Sequence, residues 1–126
     1  MEKNFSDKIV IVVDDESDIR ESVKDILQDN QIKVETAENG KDFIKKISKS
    51  KFDLIILDIL MPGLTTKEIL AELAKRKIKT PIIFLTVVRF AEQTKEMIAP
   101  QMVDYIEKPF DNSDLVKRVK TALKKK

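Results

Sequence analysis

Cysteine and histidine are both missing from the 126 residues. The first absence excludes a disulfide framework, a thiolate zinc site and a thiol nucleophile. The second removes the usual general base of hydrolases and the commonest metal ligand. Any chemistry must therefore run on carboxylates, lysines, hydroxyls and backbone. Long apolar runs are lacking as well. The longest unbroken one, Ile9 to Val13, is far too short to cross a bilayer. The first seven residues carry two acids and lead into no signal-type apolar core, so a soluble, cytoplasmic chain is expected. With two glycines and four prolines there is no Gly/Ser/Pro-rich linker, and no repeat is visible. A single domain over residues 1–126, with no appended output domain, is expected.

What is present is a salt-rich globular composition. Hydrophobic residues make up 42% and charged residues 37%, which is too apolar for wholesale disorder. A chain of this length can bury roughly two-thirds of its unfolded surface without staples. Net charge is +2, unevenly spread: residues 1–40 hold five Lys and Arg against eleven Asp and Glu, and the remainder is basic. The lysines of that remainder alternate with Ile and Leu at helical spacing, which marks solvated helix faces. Direct binding of nucleic acid is not expected.

Five short apolar runs rich in branched residues recur along the chain, at residues 8–13, 32–36, 53–57, 81–86 and 103–107. Four are mostly continuous, as in strands covered on both faces. The second, Ile32-Lys33-Val34-Glu35-Thr36, alternates and suits a sheet edge. Between the runs lie helical patterns. Ile19, Val23, Ile26 and Leu27 follow one, with Ser17 or Asp18 as its cap; Phe43, Ile44 and Ile47 follow another after Gly40. Thr65-Thr66-Lys67-Glu68 is a capping box ahead of Ile69, Leu70 and Leu73. Residues 90–98 form the weakest helical pattern and end at Pro100. Asp111 or Ser113 caps the last helix, whose buried side holds Leu115, Val116, Val119, Ala122 and Leu123. Strands alternating with five helices imply an α/β, mostly parallel sheet with helices on both faces.

In such a sheet, ligands sit beyond the carboxyl ends of the strands, so the residues that finish each strand are the informative ones. The first strand ends in Asp14-Asp15, the third in Asp58 and the fourth in Thr86; the fifth runs into Lys108-Pro109. Singly, each has a plain alternative: Asp14 as a helix cap, Thr86 as a strand-end hydroxyl. Jointly they form a site. Crowded carboxylates repel unless a cation intervenes, and an all-oxygen donor set suits Mg²⁺. One carboxylate can also act as a nucleophile toward phosphorus, with Lys108 and Thr86 serving the transferred oxygens. Asp58, after Leu54-Ile55-Ile56-Leu57 and before a Pro-Gly turn, is the best placed.

Val12-Val13-Asp14-Asp15-Glu16, Leu57-Asp58-Ile59-Leu60-Met61-Pro62-Gly63, Leu85-Thr86 and Tyr105-Ile106-Glu107-Lys108-Pro109-Phe110 together resemble the receiver domain of two-component response regulators. The resemblance runs from about residue 8 to residue 123. It implies a flavodoxin-like, doubly wound five-stranded sheet in the order 2-1-3-4-5, an order used as a standard example for this family. It also implies that Asp58 is the phosphoacceptor, charged by a histidine kinase, a phosphotransfer protein or a small phosphodonor. Asp15 and Asp58 would ligate Mg²⁺ by side chain and Leu60 by its backbone carbonyl, with Asp14 acting through a metal-bound water. Thr86 and Lys108 would hold the phosphoryl oxygens, and the Lys108–Pro109 bond would be cis. Tyr105 occupies the place of the family's switch aromatic; its plainer alternative is a half-buried amphipathic residue.

The departures from the family pattern are specific. Val87 stands where a small residue usually follows the Thr, which obstructs the usual coupling of Thr86 and Tyr105. Leu60 and Val88 are apolar where an attacking water would be oriented, so slow loss of phosphate is expected. The implied function is a phosphoacceptor switch that turns over no external substrate. A downstream partner would read it at the face of residues 90–98, Tyr105 and the last helix. Two alternatives remain at this point. A receiver-like scaffold would make protein contacts without phosphorylation. A Mg²⁺-dependent aspartyl phosphatase would usually carry a second acid where Leu60 stands.

Overall fold

The structure, a computed structural model, describes residues 5–59, 61–86 and 101–124. Its elements run β1 (Ile9–Val13), α1 (Ser17–Gln28), β2 (Lys33–Ala37), α2 (Gly40–Lys49), β3 (Leu54–Asp58), α3 (Thr66–Lys75), β4 (Ile82–Thr86), β5 (Met102–Glu107) and α4 (Asn112–Lys124). The expected helix at residues 90–98 lies outside the described residues, as do Leu60, Val87 and Val88. All strand pairs are parallel, in the order β2-β1-β3-β4-β5. No helix among the described residues is long and apolar enough to cross a membrane.

Strand alternation sorts the core into two layers. Val10, Val12, Leu54, Ile56, Ile83 and Leu85 meet Val23 and Leu27 of α1 and Leu115, Val119 and Leu123 of α4. Their neighbours Ile11, Val13, Ile55, Leu57, Ile82 and Phe84 meet Phe43 and Ile47 of α2 and Ile69 and Leu73 of α3. Successive side chains point to opposite faces of a strand. Strands buried on both faces must therefore be apolar throughout, as β1, β3 and β4 are. The alternating β2 is an edge, with Lys33 and Glu35 exposed.

The structure corrects two sequence expectations. The fifth strand, whose apolar run suggested cover on both faces, is the edge that the implied order requires: Val103 and Glu107 are exposed and Asp104 is half-buried. An edge strand donates to one ladder only, and its polar residues find partners in the adjoining helix. Arg118 Nη1 of α4 lies 2.7 Å from Asp104 Oδ1, and its Nε lies 2.9 Å from Asp114 Oδ2. Those carboxylates, Asp114 first and then Asp104, hold the guanidinium above its ordinary pKa. Secondly, neither Ser17 nor Asp18 caps α1. The N-cap is Glu16, whose side chain makes no capping bond, because Asp14 Oδ1 reaches forward to accept from Glu16 N at 2.9 Å.

The remaining caps are regular. Asn39 Oδ1 accepts from Asp42 N at the start of α2. Thr65 and Glu68 close the reciprocal capping box, and Asp111 Oδ2 accepts from Asp114 N. Gly40 is required by a close approach, since a Cβ there would sit 2.7 Å from Leu64 Cβ. Gly63, at φ +91°, serves the turn after Asp58 in a conformation that favours glycine.

Candidate functional site

Asp14, Asp58 and Thr86 sit where the central strands run out of sheet, and Lys108 follows the edge strand β5. Asp14 follows β1 and is fully buried. Its N–H donates to Ala37 O at 3.2 Å, and its carbonyl accepts from Arg20 Nη1 at 2.7 Å. Asp58 closes β3 at 3% exposure, and Thr86 closes β4 at 1%. Buried acids at these positions are held by the apolar strands that precede them. Lys108 follows β5, and its N–H donates to Thr86 O at 2.7 Å. The Lys108–Pro109 peptide is cis, as the resemblance implied.

The Lys108 ammonium gathers the acids. Nζ lies 2.8 Å from Asp14 Oδ2, 3.1 Å from Glu16 Oε1 and 3.5 Å from Asp58 Oδ2. Burial alone would push its pKa down. The bond to Asp14, the charges of Asp58 and Asp14, and the bond to Glu16 more than offset that and hold it above the ordinary value. Asp14 Oδ2 is buried without a hydrogen bond of regular geometry, and the ammonium is its counter-ion.

On the solvent side of Asp14, the exposed Asp15 and Glu16 complete a trio in which one carboxylate oxygen from each lies within 4.8 Å of the others. An all-oxygen, net negative donor set with neither imidazole nor thiolate fits a hard divalent cation. Together the notch offers a carboxylate nucleophile at a strand end, an adjacent ammonium and a place for a cation. That combination can hold a tetrahedral oxyanion and its counter-charges at one point.

Asp14, Asp58 and Lys108 are thus brought together, with Asp15 beside them and Thr86 on the neighbouring strand end. Tyr105 is half-buried and packs against the α2–α3 layer. Beside it, a cavity of about 250 Å³ is lined by Pro109, Phe110 and Arg118 among others. Sequence reasoning missed Glu16 as a partner of Lys108. The signal available was its place as the third acid in a row after a strand. Thr66 was read only as part of a capping box, yet its Oγ1 donates to Ile59 O at 2.9 Å. That bond ties the start of α3 to the residue after Asp58.

The family profile of the response regulator receiver domain matches residues 10–120. Among curated relatives, the transcriptional regulatory protein ResD of Bacillus subtilis is 35% identical over 116 residues, covering 92% of this chain and 48% of that protein. TdiR of Thauera aromatica is 32% identical over 114 residues, covering 90% of this chain and 50% of that protein. The chain thus spans about half the length of the curated relatives it matches. Among solved structures, the chemotaxis protein CheY4 of Vibrio cholerae superposes with a TM-score of 0.83 at 35% identity, covering 91% of this chain and 98% of that one. TrrA of Thermotoga maritima, solved in complex with Mg²⁺ and BeF, gives 0.77 at 36%, with coverage of 91% and 98%.

Proposed function

Because the chain belongs to the response regulator receiver domain family, we propose that it is a phosphoacceptor switch of a two-component phosphorelay in which Asp58 takes the phosphoryl group. The observation that carries this reading is the convergence of the Lys108 ammonium on Asp14 and Asp58, at 2.8 and 3.5 Å, where three strand ends meet.

An Asp58 carboxylate oxygen attacks phosphorus of a phosphohistidine or an acyl phosphate. The new P–O bond forms as the bond to the donor breaks, and the donor leaves with its electron pair. Lys108 is already charged and buried beside Asp58, so it turns from carboxylate to phosphoryl oxygen without a proton being moved. Thr86 donates its hydroxyl to another phosphoryl oxygen. Asp15 and Asp58 by side chain, and Leu60 by its carbonyl, would hold Mg²⁺, with Asp14 acting through a metal-bound water; the ion supplies charge neutralisation of the phosphoryl oxygens when bound. TrrA, with its bound Mg²⁺ and BeF, supports that choice of ion. Phosphorylation then biases a two-state equilibrium. Its readout is the face of residues 90–98, Tyr105 and α4, offered to a downstream protein, and the donor is a histidine kinase or phosphotransfer protein.

Intact-mass measurement after incubation with acetyl phosphate and Mg²⁺ tests the reading. The wild-type chain is expected to gain the mass of one phosphoryl group and Asp58→Ala none. No gain in the wild type, or an equal gain in the variant, would overturn it.

A further inference from the structure

The end of the sheet opposite Asp58 carries a second feature. Two cavities of about 540 and 510 Å³ share Lys79 and Gln101 and form one groove below the amino ends of β1, β3, β4 and β5. Its floor is apolar, with Ile78 in one cavity and Phe52, Pro81, Val103 and Leu123 in the other. Val103, 38% exposed, is the one large hydrophobic residue that is exposed among the described residues. Lys8, Lys77 and Lys79 form the rim, and none is ion-paired to a described carboxylate. The single acid of the lining, Asp53, is half-buried, and its Oδ2 accepts from Ile9 N at 2.8 Å.

The groove is concave and apolar at its floor, and a cleft lined by charge of one sign concentrates its field on ligands of the other. The lysine stems extend the apolar surface while their ammonium groups stay in water. The surface therefore matches a ligand with carboxylates flanking an aliphatic side chain. A nucleic acid matches it less well, because the one aromatic ring of the lining, Phe52, is buried at 8% exposure and offers little face for a base to stack on.

We propose that this groove docks an acidic segment of a partner protein. The segment's carboxylates lie against Lys8, Lys77 and Lys79, and an aliphatic side chain sits on the Val103–Leu123 floor. The groove and the phosphoacceptor notch lie at opposite ends of the same strands, so both are open to partners at once.

The test is a titration of the ¹⁵N-labelled chain with a synthetic peptide in which Glu alternates with Leu. Amide shifts are expected at residues 77–80, 101–103 and 122–124. Lys77→Glu/Lys79→Glu is expected to weaken binding about tenfold or more, and Val103→Ser to weaken it independently. Both variants should still gain phosphoryl mass from acetyl phosphate, which separates this proposal from the reading of Asp58. The proposal is overturned if those amides do not move, or if a Lys-Leu or an all-Glu peptide binds as tightly. It is equally overturned if duplex DNA occupies the same residues more tightly, or if the same shifts appear on concentrating the chain alone, which would assign the groove to a second copy.

Discussion

Replacing Lys108 by Met leaves the acids of the notch without their cation, and the structure sets the size of the effect. Asp14 is fully buried and Asp58 nearly so; the ammonium contacts both. Removing one partner of a buried ion pair costs about 3–5 kcal/mol. Protonation bounds that cost. Each pKa unit is worth about 1.36 kcal/mol, so protonating a carboxyl with an ordinary value of about 3.9 costs about 4 kcal/mol at pH 7 and about 1.5 kcal/mol at pH 5.

The expected deficit of Lys108→Met is therefore about 3–4 kcal/mol at pH 7, falling to about 1.5 kcal/mol at pH 5. At about 4 °C per kcal/mol for a domain of this size, the pH 7 deficit is a drop in Tm of about 12–16 °C. The wild type gains no such slope from this group. With its pKa raised in the folded state, Lys108 contributes stability fully below its unfolded value of about 10.4 and loses it only as pH rises through the folded value. Urea unfolding of both chains in EDTA at pH 5 and pH 7 measures the difference. Millimolar Mg²⁺ is expected to narrow the pH 7 gap, by binding a notch that has lost its competing ammonium. A variant as stable as the wild type at pH 7, or a deficit unchanged between the two pH values, would refute the claim that these carboxylates depend on Lys108.

Two glycine substitutions should move stability in opposite directions. Gly40→Ala gains about 1 kcal/mol of helix propensity. Its Cβ, however, meets Leu64 Cβ at 2.7 Å, an atom fixed by the backbone, and overpacking costs about 1–3 kcal/mol. A lower urea midpoint is expected, and a higher one would refute the close approach. Gln31→Gly relieves a φ of 61° after α1. The left-handed conformation costs other residues about 1–2 kcal/mol, and glycine's looser unfolded chain takes back about 0.4–1 kcal/mol. A net gain of about 0.5 kcal/mol should appear as a raised midpoint, and a loss would count against it. Leu60→Asn/Val88→Glu gives the attacking water polar groups to bind, so phosphate release from the phosphorylated Asp58 should accelerate; an unchanged rate on a phosphate-release assay would refute that.

Strand placement was legible because each strand is a short branched apolar run bounded by polar residues. The runs at 8–13, 53–57 and 81–86 became Ile9–Val13, Leu54–Asp58 and Ile82–Thr86, within one residue at either end. The site was legible for a topological reason. A parallel sheet brings every carboxyl end to one rim, so Asp14, Asp58, Thr86 and Lys108 converge without any local signal linking them. Long, exposed side chains were not legible. Glu16 reaches a lysine 92 residues away, and Arg118 bridges its own helix to Asp104 on β5. Only the Asp114–Arg118 half of that bridge has a spacing the sequence displays. The edge position of β5 followed from the implied strand order, but not from its residues, since Asp104 looks like a flaw in a buried strand until its partner is known.

Asp14 explains why the cap of α1 was misplaced. One oxygen, Oδ1, accepts the N–H of Glu16 and turns the chain into the helix; the other faces Lys108. A capping serine or aspartate at residue 17 or 18 would have left Asp14 free to rotate. With the turn made by Asp14 itself, the carboxylate is fixed in the plane that presents Oδ2 to the notch. The bond from Arg20 to the Asp14 carbonyl holds the same residue from the helix side. The polar group most costly to bury, at zero exposure, is thus also the one most firmly positioned. A buried charge is tolerable only when its geometry is held, and here the start of α1, the end of β1 and the Lys108 ammonium all act on the single residue Asp14.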